Sequence, residues 1–498
     1  MRPALVFIGF MGAGKTTAAR EAAAALGVTA QDSDRLIEER IGGPIEAYFD
    51  REGEAAFRQV EEEVVVALLD GADGDVLSLG GGALGSERVR RALDRHTAVL
   101  IEVTPELAWS RASGRGRPLA RDRGRFLRLH AERSGLYESV ADAFLPETSR
   151  GIVRAALPAL RSLPPATRML WAHAASGDYP VYVGEGAWPA LEGRNLIVTD
   201  EHVAELYGER LAGHELLAIP PGEESKTLAT AERIWSAMAD GGYTRSDTVV
   251  GLGGGVIGDL AGFVAASYQR GMDVVHVPTT IVSQVDSAYG GKTGVDLPMA
   301  KNYVGAYHQP RAVHVDPTVL QTLPDAERAA GYAEVVKTGL IAGGTLWKRI
   351  AEGAPVDADV VLACARLKLG VVAQDERDGG RRQVLNLGHT VGHALETVTG
   401  YSRFRHGEAV GIGLLAALRL SNRDDLRTQT AELLAAAGLP TSVDGVDPEA
   451  VVAATHRDKK RLGAEVPFVL CAAPGDVTPG HRVEPAALDA AVREVIRA

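Results

Sequence analysis

Leu5-Val6-Phe7-Ile8-Gly9-Phe10-Met11-Gly12-Ala13-Gly14-Lys15-Thr16 decides the first fold. An apolar run suited to a buried strand gives way to a glycine-rich turn, and a lysine–hydroxyl pair then opens an alanine-rich helix. Strand, turn and helix in that order make a phosphate loop. Glycines let backbone N–H groups turn inward around phosphate oxygens, and the helix N-terminus adds a favourable dipole. On this reading Gly12, Ala13, Gly14, Lys15, Thr16 and Thr17 cradle ATP, with Lys15 reaching the β and γ phosphates and Thr16 offering its hydroxyl to Mg2+. A glycine turn that merely precedes a lysine is the bland alternative, and the flanking strand and helix argue against it.

Outward from that turn, residues 1–160 alternate short apolar runs, at 76–79 and 98–103, with amphipathic charged segments, the pattern of a parallel sheet covered by helices. Adjacent prolines, Pro164 and Pro165, predict an extended linker over 161–168. Strand-like runs at 195–199, 248–252 and 274–277 then alternate with helical segments, predicting a second α/β unit of dinucleotide-binding type over 169–324. Beyond Asp325 the apolar spacing turns helical, so 325–498 should form a mostly α-helical, metal-binding domain. The expected fold class is α/β throughout the first two domains, with no solenoid repeat.

Composition narrows the partners. Hydrophobic residues at 46% and charged residues at 24% give ample core material, so disorder is not expected. A net charge of -12 argues against nucleic acid, which is met by clustered positive charge. Cys364 and Cys471 are too few for a disulfide framework, which suits a reducing compartment. No run approaches the ~20 apolar residues of a membrane helix, and the N-terminal run lacks the flanks of a signal peptide. A cytoplasmic protein acting on small molecules, with no nucleic acid and no membrane, is expected.

Downstream of the phosphate loop stand Asp32-Ser33-Asp34, Gly53-Glu54-Ala55-Ala56-Phe57-Arg58, Gly80-Gly81-Gly82 and Arg133. With the loop, these resemble shikimate kinase over nearly all of residues 1–155. The resemblance implies that Asp34, Arg58, Gly80, Gly81, Gly82 and Arg133 bind shikimate, with the arginines forking onto its carboxylate. It also implies that Asp34 accepts the proton of the attacked hydroxyl and that Asp32 sits near magnesium through water. The acid usual after a second P-loop strand is missing, because 76–79 run directly into glycines, and Asp32 takes its place. The basic, glycine-rich segment from Arg111 to Leu119 reads as a lid, with Arg117 on the phosphates. Arg150 is expected as a further nucleotide contact, in Pro146-Glu147-Thr148-Ser149-Arg150, where the Asp-Thr usual in the family is absent and the adenine contacts stay open.

In the second half, Gly253-Gly254-Gly255-Val256-Ile257-Gly258-Asp259 follows a strand and opens a small-residue helix, which suits a pyrophosphate; such a triplet also serves tight helix–sheet packing. Glu334, His389 in Asn386-Leu387-Gly388-His389-Thr390-Val391-Gly392-His393, and His406 in His406-Gly407-Glu408 are candidate metal ligands. Three protein ligands leave a position open for substrate, as in catalytic sites. Spacing alone makes His389 and His393, four apart on one helical face, a ligand pair.

These segments, together with Asp286 to Gly294, Lys301-Asn302 and Ala333 to Lys337, resemble 3-dehydroquinate synthase over roughly 179–475. The resemblance implies that Glu334, His389 and His406 hold Zn2+ or Co2+ and that His393 lies beside the substrate. Asp286, Lys292, Asn302, Lys337, Lys368, Arg382 and Asn386 would line the pocket, and one lysine of Lys459-Lys460 would close on it. Asp200, Glu223, Lys226, Gly254, Gly255, Val256, Asp259, Thr279, Thr280, Asp286, Lys292 and Lys301 would contact NAD. Arg270 would reach the phosphate of a neighbouring subunit, which implies a homodimer. The implied chemistry oxidises a hydroxyl transiently, eliminates phosphate, returns the hydride and closes the ring by an aldol step. Catalytic work there would fall to His393, Lys292, Lys337, Asn302 and Asp286.

The chain departs from the family at Asp296 (usually asparagine), at Tyr289 (usually small), at Asp378 (usually glutamate) and at Ala300, where glycine is common before Lys301. Rival readings are a related sugar-phosphate cyclase, a metal-dependent polyol dehydrogenase and, for the first unit, a non-catalytic nucleotide-binding module. Lys292, Lys337, Lys368 and Arg382 favour a phosphorylated acid over a simple alcohol.

Overall fold

The computed structural model describes residues 2–114, 118–147, 151–298, 300–456 and 467–497. The chain forms two compact units, 1–172 and 173–498. In the first, strands β1 (Leu5–Ile8), β2 (Ala30–Asp32), β3 (Val76–Ser78), β4 (Thr97–Ile101), β5 (Ala143–Leu145) and β6 (Thr167–Ala174) lie in the order β2-β3-β1-β4-β5-β6. Every pair is parallel, with Leu5 facing both Val76 and Thr97. The β1 strand is buried along its whole length, as its uninterrupted apolar run requires of a strand covered on both faces.

The unit boundary differs from the expected linker. The diproline segment does separate the helix Ile152–Arg161 from the next strand, but β6 pairs with β5 at Ala143↔Met169 and Phe144↔Leu170. Backbone pairing thereby ties the chain to the first unit at Met169 and Leu170, and that unit extends to Ala172.

The chain leaves β1 toward one edge of this sheet and leaves β3 toward the other. A crevice must open beyond the carboxyl ends of these two strands, where the connections diverge. The phosphate loop follows β1, Gly80-Gly81-Gly82 follows β3, and Asp32 ends the neighbouring β2.

The second unit repeats the logic. Strands β7 (Gly177–Gly184), β8 (Asn195–Asp200), β9 (Glu215–Ile219), β10 (Thr248–Gly253) and β11 (Asp273–Pro278) precede an antiparallel hairpin, β12 (Lys292–Leu297) with β13 (Ala300–Tyr307). The strand β14 (Ala312–Val315) then completes a parallel sheet ordered β7-β14-β11-β10-β8-β9. Connections diverge at β8 and β10, so Asp200 and Gly254 flank this crevice.

From Asp325 onward the described residues are mainly helical, with a small antiparallel hairpin, Phe468–Ala473 with Asp476–His481, and a short parallel pair, Val443–Asp444 with Ile496–Arg497. The helices Asp325–Ala342, His389–Val398 and His406–Leu420 meet at glycines. A Cβ on Gly407 would stand 1.8 Å from Ala330 O, and one on Gly413 would stand 1.9 Å from Gly388 O. Only glycine permits these backbones to touch, and that contact brings Glu334, His389 and His406 to one point. Among the described residues no helix is long and apolar enough to cross a membrane.

Candidate functional sites

In the first unit, Gly12 (φ 86°) and Gly14 (φ 99°) take the left-handed conformation, and a Cβ on Gly12 would meet Ala108 O at 2.6 Å. Lys15 opens the helix Lys15–Leu26 and donates from Nζ to Phe10 O at 3.0 Å, folded over the loop; Thr17 faces solvent. Asp32 Oδ2 accepts from the Thr16 and Ser78 hydroxyls, both at 2.7 Å, and Oδ1 accepts from Asp34 N at 3.0 Å. One carboxylate therefore joins the phosphate loop to the ends of β2 and β3.

Asp34 lies exposed in the first turn of the helix Ser33–Ile41, close to Gly80, where a Cβ would come within 2.6 Å of Asp34 Oδ1. The helix Ile45–Gly71 breaks at Gly53 (φ 84°), and its second part carries Arg58. Arg58 Nη1 donates to Glu61 Oε2 at 2.5 Å and Nη2 to Glu54 Oε1 at 3.1 Å. Burial pushes the Glu61 carboxyl up, and Asp34 adds to it, against the pull of Arg58 and Arg133. Arg133 Nη1 and the Tyr137 hydroxyl both donate to Gly81 O, at 2.9 and 2.5 Å. A cavity opens here, lined by Arg58, Glu61, Gly81, Gly82, Arg133 and Tyr137 among others. Sequence reading misses Glu61 and Tyr137. Glu61 stands in a run of three glutamates that reads as a solvated face, and its spacing of three from Arg58 is the signal that could have found it. Arg117 and Arg150 lie outside the described residues.

In the second unit, Gly254 caps the helix Gly255–Ser267, with Val256 and Asp259 in its first turns. A Cβ on Gly254 would stand 2.9 Å from Thr280 Cγ2, and Thr279 N donates to Gly253 O at 2.9 Å, so the ends of β10 and β11 are tightly apposed. Asp200 caps the helix Glu201–Tyr207 through Val203 N at 2.9 Å. Lys226, 3% exposed, faces Glu223 at 2.6 Å, Asp259 at 3.4 Å and Asp296 at 3.7 Å. Burial pushes Asp259 up to about 6 despite the lysine.

Beside this crevice the charges interlock. Glu334, 0% exposed, meets Lys337 Nζ at 2.5 Å; Lys337 also lies 3.8 Å from Asp286 Oδ2, and Lys368 donates to Asp286 O at 2.6 Å and pairs with its carboxylate. Glu334 Oε1 lies 3.4 Å from His406 Nε2 and 3.6 Å from His389 Nε2. Burial opposes ionisation of Glu334, yet Lys337 and the two histidines hold it well below the usual carboxylate range. Burial, reinforced by Lys337, holds His389 well below its ordinary value, leaving a neutral imidazole. For His406 burial is outweighed by Glu334 and Glu396, which raise it to about 10. The ring of His393 lies 5.2 Å from that of His389 and 6.0 Å from that of His406. It groups with His406 and Glu396 rather than with Glu334.

Other expected pocket residues are placed differently from one another. Lys292 is half-exposed and pairs with Asp378 Oδ2 at 2.7 Å. Arg382 is 2% exposed and donates to Gly290 O at 3.1 Å and to Glu376 O, which fastens the turn before β12. Asn302 is exposed with φ 51°, and its N–H donates to Asp296 Oδ1 at 2.6 Å. Asn386 ends a short helical turn, half-buried just before His389. Lys301 lies 3.7 Å from Glu396. Arg270 is exposed in a left-handed conformation (φ 71°). Lys459 and Lys460 lie outside the described residues.

Comparison with known families accords with this geometry. Residues 11–160 match the shikimate kinase family, 216–330 the 3-dehydroquinate synthase N-terminal family and 331–461 the 3-dehydroquinate synthase C-terminal family. The 3-dehydroquinate synthase of Halorhodospira halophila is 43% identical over 361 residues, covering 66% of this chain and 100% of that protein. The chain belongs to the 3-dehydroquinate synthase family and carries a shikimate kinase in front. It is a bifunctional shikimate-pathway enzyme, a phosphotransferase joined to a cyclising lyase. The synthase of Caulobacter vibrioides is 44% identical over 326 residues, 60% of this chain and 88% of that protein. Among solved structures, the synthase unit is similar to 2-deoxy-scyllo-inosose synthase complexed with carbaglucose-6-phosphate, NAD+ and Co2+, at 25% identity and a TM-score of 0.57, covering 66% of this chain and 100% of that chain. It is also similar to the 2-epi-5-epi-valiolone synthase of Streptomyces hygroscopicus with NAD+ and Zn2+ bound, at 26% identity and a TM-score of 0.58, covering 64% of this chain and 96% of that chain.

Proposed function

We propose that the kinase unit transfers the γ-phosphoryl group of Mg2+-bound ATP to shikimate, giving shikimate 3-phosphate. The synthase unit converts 3-deoxy-D-arabino-heptulosonate 7-phosphate to 3-dehydroquinate and phosphate. The observation that carries the second assignment is the convergence of Glu334, His389 and His406 beside the buried Lys337–Asp286–Lys368 charges.

In the kinase unit Asp34 accepts the proton of the attacked hydroxyl from its exposed place beside Gly80. Arg58 and Arg133 hold the carboxylate of the acceptor, and Glu61 fixes the Arg58 guanidinium. Lys15 and Arg117 hold the transferred phosphoryl, and Asp32, already bonded to Thr16, positions the magnesium side of the loop.

In the synthase unit the donor set suits a divalent ion. Glu334 Oε1 is buried with no aligned hydrogen-bond donor among the described residues, although two imidazole nitrogens face it. Glu334, His389 and His406 would hold Zn2+ or Co2+, and the crevice from Asp200 to Thr280 would hold NAD. Bound there, the dinucleotide supplies transient hydride acceptance and the ion polarises the substrate oxygen. Lys292, Lys337 and Lys368 meet the substrate's anionic groups, Asp286 keeps the two buried lysines apart, and His393 moves a proton beside the ligand set. Asn302, Arg382, Asn386 and Lys459 complete the pocket. The reading further makes the protein a cytoplasmic homodimer formed through the synthase unit, with Arg270 reaching the neighbouring site, and without nucleic-acid partners.

Turnover by the purified full chain tests the reading. ATP-dependent phosphorylation of shikimate is expected, as is phosphate release from the heptulosonate phosphate with NAD present and no accumulating NADH. EDTA should disable both. Stoichiometric NADH would mark a dehydrogenase instead, and failure to phosphorylate shikimate would overturn the kinase assignment.

A further inference from the structure

Glu396 is 3% exposed and stands three residues after His393 and seven after His389, on the same face of the helix His389–Val398. Its Oε1 lies 3.5 Å from His406 Nδ1 and 3.7 Å from Lys301 Nζ. That oxygen is buried with no aligned hydrogen-bond donor among the described residues, so it is aimed at these cations without being consumed by other bonds.

The two nitrogens of His406 thus face different carboxylates. Nε2 faces Glu334 Oε1 at 3.4 Å, and Nδ1 faces Glu396 Oε1 at 3.5 Å. A neutral imidazole that gives Nε2 to a metal must carry its proton on Nδ1, and that proton needs an acceptor which also fixes the ring. The other ligand histidine solves the problem with backbone: His389 Nδ1 lies 3.2 Å from Leu387 O. His406 opens its own helix after Arg405, and a side chain from the neighbouring helix supplies the acceptor.

We infer that Glu396 is the positioning carboxylate of the metal centre: it accepts the Nδ1 proton of His406, turns Nε2 toward the ion, and through Lys301 ties the β12–β13 hairpin to the ligand set. The inference rests on the reading of Glu334, His389 and His406 as metal ligands. Glu396 is not itself a ligand, because an ion among Glu334, His389 and His406 takes Nε2 and leaves Glu396 on the far side of the ring.

The test is metal binding by the full chain, with Zn2+ affinity measured by chelator competition and the visible spectrum of the Co2+ form recorded. The wild type should bind one ion in this site per chain. Glu396→Ala should bind the same number about 10–100-fold more weakly, with an altered Co2+ spectrum. Glu396→Gln, whose amide oxygen still accepts from Nδ1–H, should recover most of the affinity and the spectrum. Wild-type affinity and spectrum in both variants would overturn the inference alone. So would a loss as complete as that of His406→Ala, which would make Glu396 a ligand, or a second ion bound by the wild type through His393, Glu396 and His406. A wild type that binds no ion would overturn the metal reading and this inference together.

Discussion

The kinase site and the synthase site bind anionic substrates with opposite constructions. The first is made of strand ends and backbone: Asp34 is exposed, Lys15 folds over its own loop, and the glycines keep room for phosphate and acceptor. The second is made of side chains that neutralise one another inside the protein, with Glu334 at 0%, Lys337 at 1% and His389 at 8% exposure. A loop-built site can lose a charge with little effect on folding, because solvent replaces the lost partner. A buried ion network cannot, because each charge is kept in place by the next.

The largest effect expected from this contrast is that of Glu334→Ala. It strands Lys337 without its 2.5 Å partner and removes a member of the proposed ligand set. Phosphate release should vanish, and the synthase unit should lose about 3–5 kcal/mol of stability, while shikimate phosphorylation persists. Unchanged unfolding of the variant in urea would break the comparison. The counterpart in the kinase is Asp34→Asn. Shikimate phosphorylation should fall by about 10²- to 10⁴-fold, the range of a lost general base. Stability should stay within about 0.5 kcal/mol of wild type, as for other exposed positions, since the amide also relieves the charge that Asp34 sets against Glu61.

The same contrast extends to pH. His276 sits in the synthase sheet with Nδ1 buried and unpartnered among the described residues, and burial, with His308 adding, pushes it down to about 4. His314, stacked on Tyr182 at 4.9 Å, is pushed down to about 4 by burial. Above the ordinary histidine value of 6.5 both the folded and unfolded forms are neutral. As pH falls toward 4 the unfolded chain takes up protons that the fold refuses, so stability declines through that window by up to ~3 kcal/mol for each histidine. Burial also lowers His96 of the kinase unit, but its ring meets Ala4 N at 3.1 Å and Leu69 O at 3.0 Å. Urea unfolding of the synthase unit should therefore shift to lower denaturant between pH 6.5 and 4. A flat midpoint over that range would show that these buried rings are not linked to folding.

The kinase half was the more legible in sequence for a physical reason. A phosphate loop is local: Gly12, Gly14 and Lys15 declare their conformations within a few residues, and the strand before them and the helix after them fix the fold. The synthase centre joins residues more than seventy positions apart, from Glu334 to His406, and no periodicity encodes that meeting. Spacing alone paired His389 with His393, and only the resemblance separated them; the structure turns His389 Nε2 toward Glu334 and groups His393 with Glu396. Glu61, Tyr137 and Glu396 stayed hidden because a single polar residue on a helix looks the same whether it faces solvent or a buried cation. The diproline was legible as a break but not as a unit boundary, since the pairing of β6 with β5 is a tertiary choice.

The smallest effect expected concerns a departure from the family, Asp296→Asn. Asp296 Oδ1 accepts from Asn302 N at 2.6 Å and lies 3.7 Å from Lys226, which also has Glu223 at 2.6 Å and Asp259 at 3.4 Å. The amide keeps the acceptor that holds Asn302 in its left-handed conformation, and Lys226 keeps two closer carboxylates. Burial raises Asp296, and Glu223 opposes its charge further, so the ionised form gains little from its place. Asp296→Asn should change stability by less than about 1 kcal/mol and the KM for NAD by only a few-fold. Asp296→Ala removes the acceptor as well and should cost about 1 kcal/mol more, with a lower kcat as Asn302 loses its anchor. Equal effects of the two substitutions would assign the role of Asp296 to charge; the geometry assigns it to the hydrogen bond.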